Sequence, residues 1–229
     1  MIIGIFGDSF AHNYTPLSWC NILETAYSLQ IKNHGYGCTS TFWSYRNLLK
    51  AIDDVDVVIF VVTAATRLYH PNEKLTVGTL FSVQLKLAED HVSLEDRAIL
   101  QAAKQYHQYL INDEFCDFVQ EQIVKEIQTT CRERGKRLVL VPAFHDSVKY
   151  QTVFDMPLCE ITGQEIHKNF GDSQYRVENQ QTRACHMSRE NNEILAAKMH
   201  ELVMGETPKI RLRDFRFEKY ADPSVYWRV

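Results

Sequence analysis

From Val57 to Val62 the chain reads Val-Val-Ile-Phe-Val-Val, without one polar side chain. A strand with one wet face alternates apolar and polar residues, so a β-branched run like this is hidden only in the middle of a sheet covered on both faces. Helices are the usual cover, reached by alternating strand and helix. The rest of the chain supplies that alternation. Ile2-Ile3-Gly4-Ile5-Phe6 is a second apolar run, ended by Gly7-Asp8-Ser9, and reads as strand one. Pro16 suits a first helical turn, and Leu17, Ile22, Leu23 and Ala26 follow at helical spacing. Ser28 to Ile31 reads as strand two, leading into a turn-forming loop over Asn33 to Thr39, and Phe42 to Ile52 as helix. The Val55 to Val62 segment is strand three.

Beyond Thr63 the sequence is irregular to about Val77, then helical through Leu110. A second amphipathic helix follows over about Glu114 to Arg134, with Gly135 as its stop. Lys136 to Val141 is strand four, closed by Pro142, and a last helix runs from about Ser188 to Met204 with Ser188 as N-cap. Phe144 to Arg183 shows no regular pattern. The order β-α-β-α-β-α-β predicts an α/β fold: three-layer α/β/α, a flavodoxin-like doubly wound parallel sheet with a helical insertion after strand three.

No Pro/Gly/Ser-rich linker divides the chain, which has only 9 Gly and 6 Pro in 229 residues, so residues 1–204 are expected to form one domain. Residues 205–229 differ. Lys209, Arg211, Arg213, Arg216, Lys219 and Arg228 interleave with Ile210, Leu212, Phe215, Phe217, Tyr220, Tyr226 and Trp227. So many large apolar groups do not fit a plain disordered tail. This extended arm either packs back on its own domain or docks on a second subunit or a larger assembly.

Charge and motif content narrow the function. The 25 Lys and Arg against 29 Asp and Glu give a net charge of −4, without the electrostatic footprint of a nucleic-acid or anionic-membrane binder. No apolar stretch approaches the ~18 residues of a membrane span, and the run from Met1 lacks the basic n-region of a signal peptide. A cytoplasmic location is expected. The six cysteines include no CxxC pair, which argues against a zinc ribbon or thioredoxin-type site and for reduced thiols. GxGxxG after a strand, GxxxxGK[ST] and HxxxH are all missing, so neither a cofactor nor a metal is expected.

In doubly wound sheets the ligand site lies beyond the carboxyl ends of the strands. That nominates the loops Gly7 to His12, Asn33 to Thr41 and Thr63 to His70. Ser9, at the exit of strand one, is a candidate nucleophile if a base takes its proton and backbone N–H groups receive an oxyanion. An isolated Gly-Asp-Ser is more often a plain turn. His145-Asp146 follows strand four at the same end, but two residues do not make a metal site.

Taken together, Gly7-Asp8-Ser9-Phe10, Asn33-His34-Gly35-Tyr36-Gly37-Cys38, the strand-three exit Thr63-Ala64-Ala65-Thr66-Arg67, and His186 just before the final helix resemble the four blocks of the SGNH (GDSL-like) hydrolases. The resemblance implies a serine esterase or acyl hydrolase in which Ser9 attacks and His186 is the base, with Asp8 orienting the turn. It implies oxyanion donors at the N–H groups of Ser9 and of Gly37 or Cys38; Cys38 stands where the family has glycine. Two further departures are plain. Ala65 replaces the asparagine of the third block, leaving Thr63, Thr66 or Arg67 as substitutes, and Arg67 is equally suited to an anionic substrate group or to a structural role. Arg183 replaces the aspartate of the fourth block, so a backbone carbonyl or a distant acid such as Asp146, Asp172 or Glu178 would have to orient His186.

Small phage-encoded proteins of this kind share the Val62-Thr63-x-x-x-Arg67 exit and the His186-Met187-Ser188 start of an Asn-Asn helix. The resemblance thus extends to a phage or phage-like source, with an ester or O-acylated substrate and either a host-cell or a virion location. The alternative is a hydrolase-like fold kept as a binding or assembly module.

Overall fold

The structure is a computed structural model that describes residues 1–13, 16–72, 75, 79–89, 91–165 and 187–217. Four strands form one parallel sheet: β1 (Ile2–Gly7), β2 (Gln30–Gly35), β3 (Val57–Val62) and β4 (Arg137–Pro142), in the order β2-β1-β3-β4. The helices are α1 (Trp19–Tyr27), α2 (Thr41–Ala51), α3 (Leu80–Leu87), α4 (Leu94–Gln105), α5 (Asp113–Glu133), α6 (residues 158–165) and α7 (Arg189–Met204). All six residues of β3 are buried, as its composition requires.

The period of two in the strands sorts their side chains cleanly between two cores. Ile3, Ile5, Val57, Ile59, Val61, Val139 and Val141 face α1 and α7, packing on Trp19, Leu23, Leu195 and Met199. Phe6, Val58, Phe60, Val62 and Leu140 face the other way, onto Leu48 of α2 and Val124, Ile127 and Cys131 of α5. These are the three layers α/β/α that the alternation predicts. Each fully buried large side chain contributes roughly 1.5–3 kcal/mol.

Two elements differ from the sequence expectation. Strand two lies later than Ser28 to Ile31: Asn33, His34 and Gly35 belong to the strand and pair with Ile5, Phe6 and Gly7. An edge strand tolerates polar residues because one side is half-buried, and His34 gains a stacked contact with Phe6 at 4.9 Å. The helical stretch before Leu110 is not one helix. It breaks after α3, restarts at α4 where the Ser93 side chain accepts from Asp96 N–H, and ends in a π-helical turn, Tyr106–Leu110. Leu75, Val83 and Leu100 give this insertion a small core of its own.

The C-terminal segment is described as far as residue 217. Ile210 and Phe215 are buried in the α1–α7 core. Ile210 pairs with Phe154 through two backbone hydrogen bonds, and the Asn191 amide clamps the backbone of Arg216. This part of the arm therefore packs on its own chain. No helix among the described residues is long and apolar enough to cross a membrane.

Candidate active site

The exit of β1 is a tight turn built by Asp8. Ala11 N–H donates to the Asp8 carbonyl at 2.9 Å, and Phe10 N–H to Asp8 Oδ1 at 3.0 Å. This is an Asx-type turn with Ser9 at its corner, where Ser9 stays partly exposed. Gly7 is required just before it: φ is +154°, and a Cβ would lie 2.6 Å from Val61 Cβ and 2.9 Å from Ala11 Cβ. Gly35 serves the same turn from β2, since a Cβ there would meet the Ala11 carbonyl at 2.6 Å. Asn33 completes the join, donating Nδ2 to Ala11 O at 2.8 Å and accepting Gly35 N–H at 2.8 Å.

Asp8 has no solvent exposure at all. Its second oxygen, Oδ2, accepts from the Thr63 hydroxyl at 2.9 Å and pairs with Arg67 Nη1 at 2.7 Å. Arg67 is itself 7% exposed, donates to the Thr39 carbonyl at 3.2 Å, and lies over the Phe144 ring at 5.0 Å. A buried carboxylate is tolerable only when paired and hydrogen-bonded, and here the partners of Asp8 come from the exit of another strand. Asp8, Thr63 and Arg67 are thus brought together. The Thr63 hydroxyl has one proton and gives it to Asp8, while Arg67 is held by Asp8 instead of reaching into solvent for an anion.

The loop after β2 is pinned to β1 as well. Tyr36 N–H donates to Gly7 O at 3.0 Å, and the Thr39 hydroxyl lies 3.3 Å from the same oxygen and 2.8 Å from Tyr36 O. Within it Cys38 adopts φ +62°, the left-handed conformation that costs a residue with a side chain roughly 1–2 kcal/mol. The backbone that glycine would favour is therefore present despite the cysteine. The residues flanking Gly37 and Cys38, Tyr36 and Thr39, thus hold this loop to Gly7.

His186 lies outside the described residues, as do Asp172, Glu178 and Arg183. Met187 and the first turn of α7 are firmly held. Met187 is buried in the same core as Phe10 and Trp19. Buried Glu165 accepts Ser188 N–H at 3.1 Å and the Asn191 amide, and Asn192 Oδ1 accepts Trp19 N–H at 2.9 Å. The indole of Trp19 in turn donates to Phe10 O at 2.7 Å.

Three features of the site are not read from sequence. Asp146 Oδ2 accepts Ala65 N–H at 2.7 Å, so the third-block position is tied to the β4 exit by its backbone. Asp146 Oδ1 is buried with no partner among the described residues. His12, three residues after Ser9, sits edge-on to Tyr36 at 5.8 Å, and burial lowers its pKa, which keeps the ring neutral near pH 7. Only the nearness of His12 to the Gly-Asp-Ser run hinted at it. His145 is largely exposed, 3.6 Å from Glu160. No group of three His, Cys, Asp or Glu side chains arranged for a metal occurs among the described residues. Burial pushes the Cys131 and Cys159 thiols up to about 11, which makes both poor nucleophiles.

No protein-family model matches the chain, and no curated protein does. Among solved structures it is similar to an acetyl xylan esterase, AlAXEase, at 11% identity over 89% of this chain and 100% of that one, TM-score 0.39. It is also similar to a member of the lipolytic G-D-S-L family from Veillonella parvula (13% identity, 69% and 89% covered, TM-score 0.29). A third similar structure is a protein described as lipolytic and of the G-D-S-L family, from Desulfitobacterium hafniense (15% identity, 61% and 76% covered, TM-score 0.27). At these identities and scores the residues of this chain itself carry the functional reading.

Proposed function

We propose that the protein is a serine ester or acyl hydrolase of the SGNH type, with Ser9 as nucleophile and His186 as base. The observation that carries this is the buried Asp8 network, which ties the Ser9 turn to the exits of two other strands. Ser9 Oγ attacks the ester carbonyl carbon as its proton passes to His186, and the oxyanion accepts from the N–H groups of Ser9 and of Gly37 or Cys38. The intermediate collapses, the alcohol leaves with the proton from His186, and water then releases the acyl group from Ser9 by the reverse path. Asp146, with one carboxylate oxygen unpartnered among the described residues, is the acid we assign to orienting His186. The sequence blocks favour a phage or phage-like source and an O-acylated polysaccharide, lipid or small metabolite as substrate.

A specific observation also favours a silent binding or assembly module. Ala65 brings no side-chain donor, its N–H is taken by Asp146, and Thr63 donates to Asp8. Losing one oxyanion donor costs roughly 10²–10³ in turnover. Fluorophosphonate labelling decides between the two. The hydrolase labels at Ser9, with labelling lost in Ser9→Ala and strongly slowed in His186→Ala; if His12→Ala slows it instead, His12 is the base. An unlabelled wild-type protein that also fails to hydrolyse short p-nitrophenyl esters is the binding module.

A further inference from the structure

A cavity of about 470 Å³ lies on the outer side of Arg67, between the first turn of α2, the β3 exit from Ala64 to Tyr69, the π-helical turn and the first half of α5. That volume falls within the roughly 300–1,000 Å³ of small-molecule sites. Its walls are aromatic and aliphatic, with Phe42, Tyr69, Tyr106, Phe115, Phe118 and Val119 among them.

The side chains around it are oddly exposed for their type. Phe115 is 62% exposed and Phe118 59%, with Phe42 and Val119 also above a third. On α5, Phe115, Phe118 and Val119 share one face by their spacing, while Val124, Ile127 and Cys131 of the same helix pack on the sheet. The fold therefore does not need these phenylalanines for its core. Large apolar groups gathered at a concave mouth mark a binding site.

Polar groups interrupt these walls, and Arg67 is the one placed between the cavity and the Ser9 turn. Arg67 lines it, is 7% exposed, and has a buried Nε–H with no hydrogen-bond partner among the described residues. Because the guanidinium is already neutralised by Asp8, that donor suits a neutral acceptor oxygen better than an anion. The Arg67–Asp8 pair is the wall between this cavity and the Ser9 turn. Arg67 Nη1 touches the residue before Ser9, and Thr39, which precedes the Ser40 wall, reaches Gly7 O.

We propose that this cavity is the acyl-group subsite of the Ser9 centre and selects neutral esters whose acyl chain is longer than acetyl, from butyryl to octanoyl. The assignment of the occupant rests on the hydrolase reading above. Burial of each methylene is worth about a fourfold gain, so kcat/KM for p-nitrophenyl esters rises from acetate through butyrate toward octanoate until the cavity is full. Val119→Trp fills the space and lowers the octanoate-to-acetate ratio at least about tenfold. Phe118→Ala, which removes a wall without overfilling, lowers the same ratio less and serves if Val119→Trp fails to fold.

Calorimetric titration of octanamide into Ser9→Ala separates the two ideas, because it needs no turnover. Binding that Val119→Trp or Phe118→Ala weakens, together with the rising ester series, supports the subsite. Ester hydrolysis with a flat chain-length profile, unmoved by both substitutions, overturns the subsite and leaves the hydrolase standing. Octanamide binding without any hydrolysis by the wild type overturns the hydrolase reading and the acyl assignment, and leaves an apolar-ligand site.

Discussion

The sheet and the insertion after β3 are both rich in apolar residues, yet they use them in opposite ways. In the sheet every side chain of β3 is buried, split between two cores by strict alternation. In the insertion the buried core among the described residues is Leu75, Val83 and Leu100, while Leu94, Tyr109 and Leu110 stand 88%, 79% and 71% exposed. Apolar content alone therefore does not measure burial; the number of covered faces does. The sheet gives the Ser9 turn a rigid base, and the insertion gives the adjoining cavity a wall through Tyr106.

The largest effect is expected at the point where the sheet carries charge. Asp8→Ala strands Arg67 in a site that is 7% exposed, and breaking a buried pair from one side costs about 3–5 kcal/mol. It also frees the Ser9 turn, so fluorophosphonate labelling is lost along with stability. Adding Arg67→Met to Asp8→Ala restores most of the stability in urea melts and not the labelling. Should Asp8→Ala label like wild type, the turn does not depend on Asp8.

Core truncations test the contrast directly. Phe60→Ala, at a fully buried central position, is expected to cost about 3–5 kcal/mol in one cooperative transition. Leu100→Ala is expected to cost about 2–3 kcal/mol, felt first as faster amide exchange in α3 and α4 with β3 still protected. Equal loss of protection in both regions would mean that the insertion and the sheet unfold as one unit.

The smallest effect is a pH response. Burial lowers the pKa of His12 and His34 in the sheet region and of His107 in the insertion below the usual 6.5; Lys32 lowers that of His34 further, against a weaker opposing effect of Asp54. The unfolded chain then binds more protons, so stability is full above pH 6.5 and falls as pH drops below it toward the folded values. His34→Gln is expected to flatten the fall in global Tm between pH 7 and 5. His107→Gln should change only the exchange rates of the insertion.

Much of the scaffold was legible because its signals are local. The buried run of β3, the Ser188 cap and the Gly135 stop each depend on a few neighbours in sequence. Strand two runs later than local pattern implies because an edge strand carries polar residues such as Asn33 and His34, which that pattern takes for a loop. The insertion read as one long helix because its periodicity continues across the break that Ser93 caps. At the site, the serine turn, its glycines and the cysteine in the second block were visible as motif positions. The partners that hold them were not.

Sequence by itself determined that the chain makes a covered parallel sheet, and that Ser9 leaves its first strand at the end where such sheets bind ligands. Periodicity of apolar side chains is enough for that. Tertiary structure alone decided that Asp8 meets Thr63 and Arg67, that Asp146 takes the Ala65 N–H, and that Gly35 lies under Ala11. Those contacts join residues far apart in the chain. They arise because the crossovers set the exits of β2, β1, β3 and β4 side by side, where a buried charge must find its counterpart or the fold fails.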